Sequence, residues 1–131
     1  VQRADAAVDA TRLPVIVAAD RDAGAVEAAR ENAARAGVAE LVDIRRAPIA
    51  ETLASLPSPP GWLVTNPPYG ARVGGGDLRN LYATIGKAGA AGWRVGMLVA
   101  DPVLAGHSGL QLHDRFRTTN GGIPVTFTTS D

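Results

Sequence analysis

The chain has 131 residues, the size of one domain and too small for two ordinary ones. Hydrophobic residues make up 46% of it and charged residues 20%, a composition that excludes a wholly disordered protein. Thirteen basic residues balance thirteen acidic ones. The chain therefore lacks the strongly basic surface that binds nucleic acid through phosphate contacts alone.

Cysteine and membrane-length apolar runs are both missing from the sequence. Without cysteine there is no disulfide or thiolate metal site, and we predict no bound metal and a location in the reducing cytoplasm. No apolar run approaches the roughly 18 residues of a membrane-spanning helix, so we expect no membrane association. The first residue is Val1 rather than Met, which favours an excised or processed piece of a longer chain.

The first half of the chain reads as two strands, each followed by helical sequence. Residues 1–14 are Ala-rich with alternating charge, and we interpret them as the remnant of a preceding helix or linker. The β-branched apolar run 15–19 predicts a buried strand that ends at Asp20. An apolar stripe at three- and four-residue spacing then predicts a helix that begins after Asp22, a candidate N-cap, and stops at Gly37. A short strand and a weak helical turn are predicted next, over 41–44 and 49–56.

The second half supplies the remaining strands of the predicted sheet. A proline-rich break at 57–61 precedes the strand 62–65, which ends at the run Asn66-Pro67-Pro68-Tyr69. Beyond it the sequence predicts a glycine-rich loop at 74–76, a helix at 78–88 and a buried strand at 93–100. A final pair of strands is predicted at 115–119 and 123–129. The last two strands flank Asn120-Gly121-Gly122, a tight-turn signal. Strands that alternate with helices predict an α/β fold with a largely parallel sheet and an antiparallel hairpin at one edge.

Ligands of open α/β sheets bind beyond the carboxyl ends of the strands, and two polar motifs are predicted there. The first is Asp20-Arg21-Asp22, after the strand 15–19. A carboxylate at such a strand end can accept hydrogen bonds from both hydroxyls of a ribose. An aspartate after a strand is more often a helix cap. We assign the capping role to Asp22 and the ligand role to Asp20.

The second motif is Asn66-Pro67-Pro68-Tyr69, after the strand 62–65. Two successive prolines restrict φ and donate no backbone hydrogen bond, which predicts a rigid loop with free carbonyls. A side-chain amide and an adjacent carbonyl make paired acceptors for an exocyclic NH₂ group. Tyr69 offers a flat face on which a base can stack, a contact typically worth about 1–3 kcal/mol. The alternative is a proline-stiffened turn with Tyr69 partly in the core.

These motifs together resemble those of class I S-adenosylmethionine-dependent methyltransferases acting on amino nitrogens, whose sheet is Rossmann-like. The run Asn66-Pro67-Pro68-Tyr69-Gly70-x-Arg72-x-Gly74, followed by Leu78-x-x-Leu81-Tyr82-x-x-x-Gly86, is similar to RNA guanine-N2 methyltransferases, which usually carry an N-terminal THUMP domain. The resemblance covers about Val15 to Phe127. We therefore interpret 1–131 as a partial methyltransferase domain, with 15–131 running from its second strand to its C-terminal hairpin.

The resemblance implies a role for each residue of the two motifs. The cofactor-binding residues would be Asp20, Arg21 and Asn66, with Asp20 on the ribose hydroxyls of S-adenosylmethionine. Catalysis would consist mainly of positioning, with no strong general base. We interpret the two histidines, His107 and His113, as loop residues because neither is paired with a carboxylate motif.

The proline loop would carry the catalytic residues: Asn66, Pro67, Pro68 and Tyr69. Asn66 and the Pro67 carbonyl would orient the target amine, and Tyr69 would stack on the guanine of an rRNA or tRNA substrate. The base must be unpaired or flipped out to be reached. Two arginines that flank the loop are candidates for phosphate contacts: Arg72 and Arg79.

The sequence departs from the family pattern in two places. Residues 1–14 contain no Asp-Pro-x-x-Gly-Ser-Gly motif, so we expect the first strand and its glycine-rich cofactor loop to be missing, which would leave a gap in the sheet. Three explanations are open: the chain is a fragment, a split subunit or a degenerate domain. We favour a fragment that is inactive alone. Its parent chain would supply the missing segment and a THUMP domain. Pro48 stands where the family often has an acidic residue near the adenine.

Two alternatives to RNA guanine methylation remain open. The chain can be a non-catalytic RNA-binding or scaffold remnant, although its neutral charge counts against that. It can also methylate the N6 amine of DNA adenine or a protein glutamine, since those enzymes use an Asn-Pro-Pro-Tyr loop too. Only the extension from Gly70 to Tyr82 favours guanine.

Overall fold

A computed structural model describes residues 13–56, 61–69 and 78–131. Several sequence predictions lie outside these residues: the helix or linker remnant at the N-terminus, most of the proline-rich break, the glycine-rich loop and Arg72. The described residues divide into two compact units, with 13–56 in unit one and 61–69 and 78–131 in unit two.

Unit one contains two parallel strands and two helices. Its elements are β1 (Val17–Asp20), α1 (Ala23–Arg35), a 3₁₀ turn (Ala39–Leu41), β2 (Asp43–Arg46) and α2 (Ile49–Ala54). In the register of the two strands, Val17 lies opposite Asp43 and Asp20 opposite Arg46. The carboxyl ends of β1 and β2 are therefore neighbours, which places the residues that follow them at one rim.

The ends of α1 form as the sequence predicts. The Asp22 carboxylate accepts a hydrogen bond from the Ala25 amide at 2.8 Å, so Asp22 is the N-cap. Gly37 lies just beyond the helix with φ of +70°, a conformation that glycine adopts at little cost. The prediction for the second strand was shifted, because the 3₁₀ turn takes up Leu41, whose amide bonds to the Val38 carbonyl at 2.9 Å.

Unit two is a four-stranded mixed sheet with two helices. Its elements are β3 (Trp62–Thr65), α3 (Leu78–Ala90), β4 (Arg94–Val99), α4 (Pro102–Gly106), β5 (His113–Asn120) and β6 (Ile123–Thr129). The strand order is β3-β4-β6-β5, with β3 parallel to β4 and β6 antiparallel to both its neighbours. The predicted hairpin thus occupies one edge. The described strands form two hydrogen-bonded sheets, and the mixed α/β class agrees with the prediction.

The core of unit two is built from α3 and β4. Tyr82 and Ile85 on the helix and Val95 and Met97 on the strand are fully buried. Gly86 lets the helix approach the backbone closely, since a Cβ there would lie 1.9 Å from the Ser108 carbonyl oxygen. This packing fixes the position of α3 beside the sheet.

Two local features differ from the predictions. The helix α4 was not anticipated; Asp101 caps it by accepting from the amides of Val103 and Leu104 at 2.8 and 3.2 Å. His113 begins β5 rather than lying in a loop, whereas His107 follows the last residue of α4. Within the described parts of the chain, no helix has the length and apolar character needed to cross a membrane.

Candidate functional site

The carboxyl end of β1 carries Asp20 and Arg21, both exposed. The Asp20 Oδ1 atom accepts a hydrogen bond from the Asp22 amide at 2.8 Å. This bond forms a local turn and directs the chain into α1. Among the described residues none bonds to the other carboxylate oxygen, Oδ2. The Arg21 carbonyl accepts from the Arg46 Nε at 3.3 Å, which joins the ends of β1 and β2.

The residues after β2 lie next to Asp20. The Ala47 amide donates to the Asp20 carbonyl at 3.0 Å, extending the ladder by one bond. Pro48 then occupies the N-cap of α2 and makes no side-chain capping bond. A proline side chain has no acceptor, so this rim offers a carboxylate from β1 but no polar side chain from position 48.

The proline loop leaves the carboxyl end of β3. Asn66 is exposed, Pro67 is buried, and Pro68 and Tyr69 are half-buried. The Asn66 side chain is therefore an accessible polar group at this end of β3. The prediction of free proline carbonyls is wrong for Pro68, whose carbonyl oxygen accepts a hydrogen bond from the Tyr82 hydroxyl at 3.4 Å.

Tyr82 projects from the buried face of α3 and has no exposed surface. Burial raises the pKa of its phenol above the ordinary value of 10.0, with smaller contributions from Asp101 and Tyr69. The hydroxyl therefore stays protonated at neutral pH, which suits a donor to the Pro68 carbonyl. The sequence singled out Tyr82 only as part of the run from Leu78 to Gly86 that carries the family resemblance, and it predicted no contact with the proline loop.

Tyr69 is tied to the far end of the chain. The Asn120 side-chain nitrogen donates to the Tyr69 hydroxyl oxygen at 2.7 Å, although the two residues are 51 positions apart. Asn120 is the last residue of β5, and the two-residue turn consists of Gly121 and Gly122, both with positive φ. Sequence reasoning singled out Asn120 as a turn residue alone, because no local pattern relates it to Tyr69.

An apolar depression of about 310 Å³ lies beside Asn66. The rings of Phe116 and Phe127 stack along it with centroids 5.2 Å apart. Its remaining lining comes from β3, β4 and β5: Val64, Thr65, Leu98 and Thr118. The Asn66 amide thus lies at the edge of an apolar surface, an arrangement common in small-molecule sites.

The predicted site residues are divided between the two units. Asp20 and Arg21 belong to unit one, and the loop from Asn66 to Tyr69 belongs to unit two. Arg79 is exposed in the first turn of α3. No cluster of side chains able to hold a metal ion occurs in the ranges that the structure describes.

One protein-family model matches residues 1–127, and its description is RMKL-like methyltransferase domain, UPF0020. The ribosomal RNA large subunit methyltransferase K/L of Syntrophotalea carbinolica is 39% identical over 119 residues, covering 86% of this chain and 16% of that protein. The same enzyme of Desulfotalea psychrophila is 35% identical over 133 residues, covering 98% of this chain and 18% of that protein. The chain therefore spans less than a fifth of these relatives.

Solved structures agree on the architecture. SMU.472, a candidate methyltransferase complexed with SAH, superposes with a TM-score of 0.75 and 25% identity. The match covers 98% of this chain and 34% of that one. The Rossmann-like methyltransferase fold that the family resemblance implied is thus confirmed.

Proposed function

Because the chain belongs to the family of RMKL-like methyltransferase domains, we propose that it transfers methyl groups from S-adenosylmethionine to the N2 amine of guanine in RNA. The relatives named rRNA methyltransferases make ribosomal RNA the favoured substrate. One observation carries the proposal. The Asn66 amide is exposed at the end of β3 in a proline-stiffened loop whose Pro68 and Tyr69 are both held by other elements.

The carboxylate acceptor of unit one fits the ribose hydroxyls of the cofactor. Asp20 is exposed at a strand end, and its Oδ2 atom is available for a diol once Oδ1 has closed the turn with the Asp22 amide. The fit at the adenine is poorer, because Pro48 provides no acceptor for an amine. We propose that Asp20 supplies the main side-chain contact to the cofactor, and that Arg21 and Asn66 are further cofactor-binding residues.

Unit two orients the amine. The two N–H bonds of an exocyclic amine point at the Asn66 side-chain oxygen and the Pro67 carbonyl, which directs the nitrogen lone pair away from both. S-adenosylmethionine supplies an electrophilic methyl group when bound. The nitrogen lone pair would form the new N–C bond as the methyl–sulfur bond breaks and its electron pair passes to the sulfur, which leaves as the thioether of S-adenosylhomocysteine. The methylated amine would then release a proton to water. Positioning accounts for the rate enhancement in this scheme, so no strong base is needed.

We assign recognition of the target base to Tyr69 and contacts with the RNA phosphates to two arginines. The half-buried Tyr69 ring is proposed to stack on the target guanine, with the base unpaired or flipped out of its helix. Arg72 and Arg79 are proposed phosphate contacts. Since the chain spans under a fifth of its relatives, we place the choice of RNA in a THUMP domain and the methionine contacts in a glycine-rich segment of the same polypeptide.

Identification of the methylated nucleoside tests the proposal. Protein expressed from the complete natural reading frame is incubated with ribosomal RNA and labelled S-adenosylmethionine, and the digested RNA is analysed by mass spectrometry. We expect N2-methylguanosine. Labelled N6-methyladenine in DNA, or labelled glutamine, would instead establish the other amino substrates.

Asn66→Ala should lower kcat by about 100-fold, since a misplaced nucleophile loses the benefit of orientation. The matched control is Asn80→Ala, on an exposed position of α3. A scaffold remnant predicts a different result: RNA is retained, no variant or wild-type protein transfers methyl groups, and Asn66→Ala changes nothing.

A further inference from the structure

We propose that Asn120 is a positioning residue for methyl transfer, which holds the Tyr69 ring at the angle that a stacked base requires. This inference rests on the proposed function and concerns a residue to which the resemblance assigned no role. It starts from the hydrogen bond of 2.7 Å between the Asn120 side-chain nitrogen and the Tyr69 hydroxyl oxygen.

The turn itself does not explain an asparagine at position 120. In an Asn-Gly-Gly sequence the asparagine is expected inside the turn, where it tolerates positive φ. Here the two turn residues are Gly121 and Gly122, with φ of +56° and +83°, and Asn120 pairs with Ile123 as a strand residue. Its side chain is thus not used by the turn, and it bonds to Tyr69.

The hairpin that carries Asn120 extends from the sheet of unit two. β6 pairs with β4 as well as β5, and Phe116 on β5 stacks on Phe127 of β6. Val125, two residues after Ile123, is buried. The base of the hairpin, at Thr126–Thr129, is therefore part of the sheet that also carries β3, and the β5–β6 ladder continues from there to Asn120 at the tip.

The loop is held at two successive residues from two directions. The buried Tyr82 of α3 points its hydroxyl at the Pro68 carbonyl, 3.4 Å away, and Asn120 holds the hydroxyl of Tyr69. The Tyr69 ring is thus anchored by its backbone at one end and by its oxygen at the other. A ring held at both ends cannot tilt freely, so a base stacked on it has a defined plane relative to Asn66.

Steady-state kinetics on protein from the complete natural reading frame test this role. Asn120→Ala should lower kcat about 10-fold while leaving the KM for S-adenosylmethionine unchanged, because the ring is kept but its plane is released. Tyr69→Phe removes the same bond from the other side and should give a similar loss. The double variant should be no worse than either single variant, since both remove one interaction.

Asn120→Asp is the conservative rescue. Its carboxylate can accept from the Tyr69 hydroxyl, so the contact persists with its direction reversed, and we expect kcat within about threefold of wild type. Asn80→Ala is the control for loss of an amide elsewhere in unit two. Tryptophan fluorescence in urea measures the stability of each variant, and it separates a loss of folding from a loss of orientation.

The possible results distinguish two failures. If wild-type protein methylates guanine and Asn120→Ala does so at the same rate, or if the two single losses multiply in the double variant, Asn120 has no positioning role. A loss that Asn120→Asp fails to restore, or that follows stability alone, contradicts the role as well. Wild-type protein that methylates no guanine overturns the proposed function itself and this role with it.

Discussion

At the scale of single residues, neighbouring aspartates in one tripeptide have separate tasks. Asp22 accepts from the Ala25 amide and caps α1, whereas Asp20 accepts from the Asp22 amide and keeps a second oxygen at the rim. Each carboxylate uses one oxygen to accept a hydrogen bond from a nearby backbone amide. What distinguishes them is the strand end at Asp20, where ligands of this sheet type bind.

Replacing each aspartate by asparagine separates these tasks. Asp20→Asn keeps an oxygen for the Asp22 amide but replaces the second acceptor by a donor, so we expect the Kd for S-adenosylmethionine to rise about 10-fold or more, as for the loss of a hydrogen bond to a charged group. Asp22→Asn keeps an effective N-cap and removes the same charge. Calorimetric titration should show little change in Kd for Asp22→Asn; equal losses in the two variants would contradict the ribose contact.

At the scale of elements, the position of α3 depends on its glycine and its tyrosine. Gly86 allows the helix to touch the Ser108 backbone, and Tyr82 fills the space between the helix and the proline loop. The geometry of the proline loop therefore depends on the packing of α3 as well as on its own prolines. Changes on the buried face of α3 should affect the site without touching any site residue.

Gly86→Ala should destabilise unit two by about 3 kcal/mol, because its Cβ would overlap a backbone carbonyl that cannot move alone. The matched control is Gly106→Ala, where a Cβ meets nothing within 4 Å. That variant should be neutral or gain up to about 1 kcal/mol. Both tryptophans, Trp62 and Trp93, lie in unit two, so urea unfolding followed by tryptophan fluorescence reports on this unit. Equal midpoints for the two variants would contradict the packing.

The buried phenol of Tyr82 makes stability depend on alkaline pH. Its pKa is raised in the folded chain above the ordinary 10.0, so above that pH the unfolded chain binds fewer protons than the folded one. The free energy of unfolding should then fall as the pH rises past about 10, until the folded pKa is reached. Tyr82→Phe should reduce this slope in urea titrations between about pH 9 and about pH 11. An unchanged slope would show that Tyr82 ionises as readily in the folded chain as in the unfolded one.

At the scale of the whole molecule, charge balance limits how RNA can be held. Thirteen basic and thirteen acidic residues give a net charge of zero, so specific contacts at the rim must carry more of the affinity than a diffuse positive field. This agrees with our proposal that RNA is selected outside this chain.

Salt dependence measures this balance directly. For the 131-residue chain, the logarithm of the RNA association constant should fall with the logarithm of salt concentration with a slope no steeper than about −2, as expected for two or three phosphate contacts on single strands. Fluorescence anisotropy with a labelled single-stranded RNA provides the measurement. A slope near −5 would show a clustered basic face instead, and would favour an RNA-binding scaffold.

Local sequence determined the elements and the family of this protein. The cap at Asp22, the stop at Gly37, the strand before Asn66 and the paired glycines of the hairpin follow from backbone preferences acting over a few residues. Because these preferences act only over a few residues, they also explain where the predicted secondary structure was wrong. Whether residues 41 and 42 join a strand, and whether α4 forms at all, depends on competing local structures of similar stability.

Only the tertiary structure decided how the proline loop is held. The bond between Asn120 and Tyr69 spans 51 positions, and the one between Tyr82 and Pro68 spans 14. No periodicity or turn signal relates residues so far apart, because such contacts arise when strand pairing and helix packing bring distant segments together. The sequence thus determined which side chains are available for the chemistry, and the packing of the sheet and α3 determined which of them are fixed in place.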